Sequence, residues 1–119
     1  MKNYLKTPTL LLILIISQIS CRQDEAITKA GLNTIYIKHK NGSIAECVCK
    51  GQKVYCAGMN YYDGGFGIYD TTGRLIATCN WVWGSADTLC SQLKECETIY
   101  RCYGHISGQP FVDKYGLSK

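Results

Sequence analysis

The balance of apolar and polar residues changes sharply between residues 16 and 22. Residues 10–16 are all apolar, and the start that precedes them carries Lys2 and Lys6. A helix that crosses a membrane needs about 20 apolar residues, so this run is too short to span one. A charged start, a short apolar run and small residues before a cleavage point are typical of an export signal. The pattern therefore predicts a signal peptide over residues 1–20.

Two segments follow the predicted signal peptide. Residues 22–33 carry four charges and show little apolar periodicity, so residues 21–33 are predicted to form a flexible tether. Without the first 20 of its 119 residues the chain keeps 99, which is enough for one small domain and no more. Residues 34–119 are accordingly predicted to be a single small cysteine-rich domain.

Most of this domain shows the two-residue alternation of β-strands. Asn41-Gly42 follows an alternating stretch and is a strong hairpin signal, and Gly51-Gln52 is a second candidate turn. The strands predicted before the helix described next cover residues 34–39, 43–50, 54–57, 67–70 and 75–79.

One helix is predicted in the second half of the chain. Ser85 is a good N-cap for residues 86–95, where Leu89 and Leu93 lie one turn apart on the same face. The chain returns to strand near residue 97. The sequence thus predicts a small disulfide-rich, β-rich (α+β) domain, an antiparallel meander of about five strands with one short helix.

The cysteines indicate covalent stapling. Small exported domains rich in cysteine use disulfides because their cores alone are marginal. Structural zinc sites show paired ligands at short spacing, whereas this sequence contains no Cys-X-X-Cys pair, so neither a metal site nor a cofactor is predicted. Beyond residue 21 the cysteines are Cys47, Cys49, Cys56, Cys79, Cys90, Cys96 and Cys102.

The predicted turn at Gly51-Gln52 also predicts one disulfide. It sets Cys47 opposite Cys56 on neighbouring antiparallel strands, within disulfide reach. Cys90 and Cys96 are six residues apart and would diverge by about 120° on a helix, so each is expected to bond elsewhere than to the other. The remaining partners stay unassigned, with Cys79 one option for Cys49 and with one thiol left over if Cys21 is modified.

Ile19-Ser20-Cys21 resembles the end of a bacterial lipobox, where signal peptidase II cleaves before a cysteine that becomes diacylated. The polar run after it, Arg22-Gln23-Asp24-Glu25, resembles the short charged tether of some surface-displayed Gram-negative lipoproteins. These resemblances imply lipid attachment at Cys21 and anchoring to the cell envelope, at the outer membrane or the cell surface. The alternative is a secreted, unlipidated protein in which Cys21 joins an eight-cysteine disulfide framework. The "YDxxGxLI" pattern from residue 69 resembles small bacterial exported domains.

Charge and motifs exclude several classes of function. The exported part holds 11 basic and 9 acidic residues, interspersed along the chain, so nucleic-acid binding is not predicted. No hydrolase, metalloprotease or phosphate-binding motif occurs in the sequence. A cysteine nucleophile assisted by His105 and Asp113 is the best catalytic candidate, and it is weaker than an ordinary loop histidine. An enzyme is not predicted.

The aromatic residues favour a binding role. Trp81 and Trp83 would share one strand face, near Tyr61, Tyr62 and Asp63. Rings beside polar groups are typical of surfaces that stack on carbohydrate or contact a protein.

The sequence therefore predicts a non-catalytic binding module at the cell envelope, held to the membrane by lipid, with a protein or carbohydrate ligand. The alternative is a redox-active or metal-handling lipoprotein that uses Cys47, Cys49 and Cys56.

Overall fold

The first described element is a helix, α1, where the sequence predicted a tether and a strand. The computed structural model describes residues 25–61, 64–80 and 87–119. The predicted signal peptide and Cys21 lie outside these residues. Within them, α1 covers residues 25–39, so the prediction of a flexible tether is wrong from residue 25 onward.

The predicted strand over residues 34–39 is wrong for a reason that the side chains show. Leu32, Ile35 and His39 recur at helical spacing and are all buried, whereas Ile37 is 62% exposed. Ile35 and Ile37 imitate a strand face in the sequence, but only one of them packs. The stripe that α1 buries against the sheet outweighs the weak helix propensity of these β-branched residues.

Asn41-Gly42 connects α1 to the first strand and is not a hairpin turn. The Tyr100 hydroxyl donates to the backbone carbonyl of Lys40, which fixes the end of α1. A Cβ on Gly42 would lie 1.9 Å from the backbone oxygen of Gly58. Glycine is required here because the neighbouring strand passes too close for any side chain.

The strands form one antiparallel sheet of six, in the order β4-β3-β2-β1-β5-β6. The prediction of a β-rich antiparallel domain is confirmed, with one strand more than expected. Strands β1 to β4 are sequential neighbours, as in a meander, but β5 returns to the free side of β1. The strands are β1 Gly42–Cys49, β2 Gln52–Met59, β3 Phe66–Tyr69, β4 Leu75–Cys79, β5 Leu93–Arg101 and β6 Val112–Asp113.

The turn between β1 and β2 lies one residue earlier than predicted. Cys49 faces Gln52, so Lys50 and Gly51 form the two-residue turn, with φ values of 52° and 78°. Positive φ at both central residues is the type I′ geometry that suits the twist of a hairpin. As a result Cys47 faces Val54, and Cys56 faces Ala45.

The helix predicted over residues 86–95 is a short 3-10 turn, Thr88–Gln92, followed directly by β5. The predicted cap, Ser85, lies outside the described residues. The Asp87 carboxylate caps the turn by accepting from the Leu89 amide at 2.9 Å. Leu93 begins β5 and pairs with Cys49 of β1. Strand pairing has therefore replaced the last turn of the predicted helix.

The sheet is buried on two faces. The helix face packs beneath α1, and the buried core that α1 and this face share is Leu32, Ile35, Ile44, Tyr55, Ala57, Tyr69, Ile99, Tyr100 and Cys102. The cysteine face is opposite, and its buried residues are Cys47, Cys49, Val54, Cys56, Ile68, Ala77, Cys79 and Cys90. In the part of the chain that the structure describes, no helix has the length and apolar character needed to cross a membrane.

Candidate functional site

Four of the described cysteines form two disulfides, and neither is the predicted Cys47–Cys56 bond. Cys47 of β1 bonds to Cys96 of β5, and Cys79 of β4 bonds to Cys90 in the 3-10 turn. The prediction was wrong because it rested on the shifted turn. The expectation that Cys90 and Cys96 bond elsewhere than to each other is confirmed.

A β-bulge in β5 places Cys96 against Cys47. Glu46 faces Glu97 and Val48 faces Lys94, so two residues of β5 stand opposite Cys47 alone. The first of them, Glu95, takes a positive φ of 54°. Bulges of this kind redirect side chains, and here the redirected side chain closes a disulfide between adjacent strands.

Three described cysteines are free and buried: Cys49, Cys56 and Cys102. Burial, with a smaller contribution from neighbouring Cys49, raises the pKa of the Cys56 thiol to about 11. A protonated thiol is a poor nucleophile and a poor metal ligand. The Cys49 option of pairing with Cys79 is not realised, since Cys79 bonds to Cys90.

A groove of about 320 Å³ opens on the cysteine face. Cys47, Cys56 and Cys96 line it, together with Leu93 and His105. The alternative prediction used Cys47, Cys49 and Cys56 as a redox or metal-binding cluster. Of these three, only Cys49 and Cys56 are free thiols, because Cys47 is in a disulfide with Cys96. Among the described residues, no three histidine, cysteine or acidic side chains lie close enough together to hold a metal ion.

His105 and Asp113, the residues of the catalytic candidate, make hydrogen bonds to different partners. His105 Nδ1 lies 2.8 Å from the Ser107 hydroxyl. The Asp113 carboxylate accepts from the backbone amides of Leu117 and Ser118 at 2.7 and 3.0 Å. Although partial burial works in the opposite direction, the hydrogen bonds from Ser118 and Leu117 lower the pKa of Asp113. Asp113 therefore stabilises the C-terminal turn.

Large exposed apolar side chains gather at one end of the sheet, which we call the aromatic end. Met59 ends β2 and pairs with Gly42, and the Cys102 amide donates to the Gly42 carbonyl at 2.9 Å. The loops that follow β2 and β5 therefore start side by side. The aromatic end consists of the exposed Met59, Tyr61, Tyr103 and Ile106 and the half-buried Phe111, which stacks on Tyr103.

Two contacts hold the aromatic end in place. The Ile106 amide donates to the Asn60 side-chain oxygen at 2.8 Å, which ties the two loops together. The Tyr103 and Phe111 rings stack in parallel with their centroids 4.0 Å apart. Tyr103 is nevertheless 78% exposed and Tyr61 is 66% exposed. The surface is thus both open and ordered.

The predicted binding surface is only partly within the described residues. Tyr61 lies at the aromatic end and is exposed, as a binding role requires, whereas Tyr62, Asp63, Trp81 and Trp83 lie outside the described residues. Sequence reasoning missed Tyr103 and Ile106. The available signal was the alternation at the end of β5, where buried Cys102 is followed by an outward Tyr103.

A second cleft, of about 530 Å³, lies between α1 and the helix face. Its apolar lining includes Leu32, Tyr55 and Leu117. Its polar groups largely satisfy one another, because the Glu46 carboxylate accepts from the Tyr115 hydroxyl at 2.9 Å and lies 3.7 Å from the Lys53 ammonium. The Glu46 carboxylate of this cleft is thus already engaged by Tyr115 and Lys53.

Comparisons with known proteins add no assignment: no family model matches the chain, and searches of curated proteins and of solved structures return no significant match.

Proposed function

We propose that this chain is an exported lipoprotein whose domain is a non-catalytic binding module at the cell envelope, and that it binds a protein partner through the aromatic end. The observation that carries the proposal is the gathering of Met59, Tyr61, Tyr103 and Ile106, all exposed, on an ordered sheet end. Tyrosine and methionine are enriched in protein interfaces, and tyrosine in their hot spots.

The composition of the aromatic end favours protein over carbohydrate. Carbohydrate sites combine a flat ring with polar groups that hydrogen-bond to hydroxyls. Here the rings of Tyr61 and Tyr103 stand with aliphatic Met59 and Ile106, and the nearby Asn60 oxygen is already used by the Ile106 amide. Such a surface gains most by burying apolar area against another apolar surface.

Pre-organisation supports the same role. Binding costs about 0.5–1.5 kcal/mol for each mobile side chain that must be ordered. The stacking of Tyr103 on Phe111 reduces this cost before a partner arrives. The Cys47–Cys96 bond holds β5, which leads into the Tyr103 loop, against β1.

The lipid anchor proposed at Cys21 would also orient this surface. Four residue steps separate Cys21 from Glu25, the first described residue of α1, and span at most about 14 Å. Helix α1 then runs about 22 Å along its 15 residues. Its far end leads into Gly42, which pairs with Met59 at the aromatic end. The anchor would hold the start of α1 near the membrane and direct the aromatic end away from it.

The anchor and the binding surface are tested separately. Cys21→Ala should abolish incorporation of labelled fatty acid and release the protein from the membrane fraction, while the domain keeps its two disulfides. If wild-type protein is unlipidated and Cys21 is found in a disulfide, the secreted eight-cysteine alternative replaces the anchor.

The binding surface is tested by photo-crosslinking in the producing cell. A photoreactive residue at position 103 should give a protease-sensitive protein adduct, whereas the same residue at position 75 should give none. Leu75 is a matched control because it is 52% exposed and lies on the edge strand β4, which β3, β2 and β1 separate from β5. Once the partner is purified, Tyr103→Ala should weaken binding at least tenfold and Leu75→Ala less than twofold. A protease-resistant sugar adduct, or equal crosslinking at both positions, contradicts the proposal.

A further inference from the structure

The two disulfides differ in how well the fold protects them. Cys79 and Cys90 are both buried, at 0% and 8% exposure. In the other bond Cys47 is buried, at 1% exposure, but its partner Cys96 is exposed. Thiol–disulfide exchange depends on access and on which sulfur is attacked. One end of the Cys47–Cys96 bond therefore stands open to an incoming thiol.

The groove on the cysteine face supplies the path to this bond. Both Cys47 and Cys96 line it, and its volume of about 320 Å³ is large enough for a small thiol. Apolar Leu93 and the side chain of His105 form part of the wall. No acidic side chain lines the groove within the described part of the chain.

The free thiol of Cys56 is not placed to open the bond in advance. Cys56 lines the same groove, but it faces Ala45 and stands diagonal to Cys47. Diagonal neighbours are about 7–8 Å apart at Cα, beyond ordinary disulfide reach. Its raised pKa also keeps the Cys56 thiol protonated at neutral pH. Cys56 therefore does not open the bond, and an external thiol is the reactant considered.

We propose that Cys47–Cys96 is a site of thiol–disulfide exchange that accepts small external thiols at Cys96. The incoming thiolate attacks the sulfur of Cys96, the exposed residue of the pair, and the bond between the two cysteines breaks. A mixed disulfide forms at Cys96, and Cys47 leaves as a thiolate that takes a proton from water. A second thiolate that attacks the mixed disulfide releases the oxidised small thiol and leaves Cys96 reduced. The Cys79–Cys90 bond stays closed throughout.

The test uses the full chain with reduced glutathione as the probe thiol at neutral pH. Samples are quenched with acid, alkylated and mapped by mass spectrometry. We expect the glutathione adduct on Cys96, and we expect Cys47–Cys96 to open at least ten times faster than Cys79–Cys90. An adduct that appears first on Cys47, Cys79 or Cys90, or equal rates for the two bonds, overturns the proposal.

Two variants provide a matched comparison. Cys47→Ala leaves Cys96 as a free thiol, which should react with N-ethylmaleimide at least tenfold faster than the three buried thiols do. Cys96→Ala leaves Cys47 free but buried, and it should react as slowly as those thiols. Similar rates for the two variants contradict the proposal, and if either variant does not fold, the wild-type mapping decides alone. None of these readouts depends on a binding partner.

Discussion

The two faces of the sheet are stabilised in different ways. The helix face contains large side chains, with Ile35, Ile44 and Ile99 fully buried and the Tyr36 and Tyr100 rings in edge-to-face contact at 5.0 Å. The buried residues of the cysteine face are largely cysteines, joined by Val54, Ile68 and Ala77. Small side chains bury less area and contribute less hydrophobic free energy. Both disulfides therefore lie on the face of the sheet whose buried side chains are smaller.

The contrast also separates stability from chemistry. The helix face has a covering helix and large packed side chains, so a substitution there is felt mainly as a loss of packing. The cysteine face carries both disulfides and an open groove beside one of them. Both surfaces of the sheet stabilise the fold, and the cysteine face also carries the bond proposed to exchange with external thiols.

The largest effect is expected from a packing change on the helix face. Ile35→Ala removes a side chain that is 0% exposed, and the lost burial and the cavity should lower the free energy of unfolding by about 2–5 kcal/mol. Ile37→Ala is the matched control, since Ile37 lies two residues further along α1 and is 62% exposed. Its effect should stay within about 0.5 kcal/mol. Urea denaturation measures both, and equal losses would contradict the packing of α1.

The next effects concern the cysteine face. The Cys47–Cys96 bond closes a loop with a sequence separation of 49, against 11 for Cys79–Cys90. By loop entropy alone, removing the disulfide that closes the longer loop should lower the free energy of unfolding by about 4 kcal/mol, and removing the other by about 3 kcal/mol. The variants are Cys47→Ala with Cys96→Ala, and Cys79→Ala with Cys90→Ala, compared by urea denaturation. A larger loss for the second pair would show that burial of Cys79 outweighs loop length.

The sequence predicted the sheet better than it predicted what covers it. Strands β3 and β4 were recognised because they are neighbours in the chain, with Gly73 in the short turn between them. The order of β5 and β6 depends on contacts distant in the chain, such as Cys47 with Cys96. Local patterns do not encode such contacts.

Helix α1 was missed because its signal is ambiguous. Ile35 and Ile37 alternate as in a strand, and only burial by the sheet distinguishes them. The disulfide prediction failed on a single detail. Lys50 takes a positive φ in the turn, which is uncommon for lysine, so the sequence favoured the turn one residue later and every pairing along β1 and β2 shifted.

A smaller effect tests how α1 crosses the sheet. A Cβ on Gly31 would lie 2.2 Å from the backbone oxygen of Thr71, so Gly31→Ala must push α1 away from the β3–β4 turn. Alanine regains up to about 1 kcal/mol of helix propensity, and overpacking costs about 1–3 kcal/mol, so a net loss is expected. Asn33→Ala, an exposed change in α1, should be neutral or slightly stabilising. Urea denaturation measures both, and a stabilised Gly31→Ala would contradict this crossing.

The smallest effect is electrostatic and lies in that same β3–β4 turn. The side-chain hydrogen bond from Thr72 is the main cause that lowers the pKa of Asp70; partial burial opposes it, and the backbone amides of Arg74 and Thr72 add to it. The pKa of Asp70 is lower in the folded protein than in the unfolded one, so the unfolded state binds more protons in acid. The free energy of unfolding therefore decreases as the pH is lowered. The contribution is complete above the unfolded pKa and is lost as pH falls through the folded value.

Asp70→Asn keeps an oxygen that accepts hydrogen bonds but cannot ionise. The wild-type protein should therefore be more stable than Asp70→Asn at pH 7, and this difference should shrink as the pH falls below about 4. Asp113, whose pKa is also lowered, is present in both proteins and cancels in the difference. The exposed Arg74 partner, 3.4 Å away, should add little, because surface ion pairs are weak. Urea denaturation at pH 7 and in acid measures the difference, and one that stays constant or grows in acid would show that the Asp70 carboxylate does not stabilise the turn beneath α1.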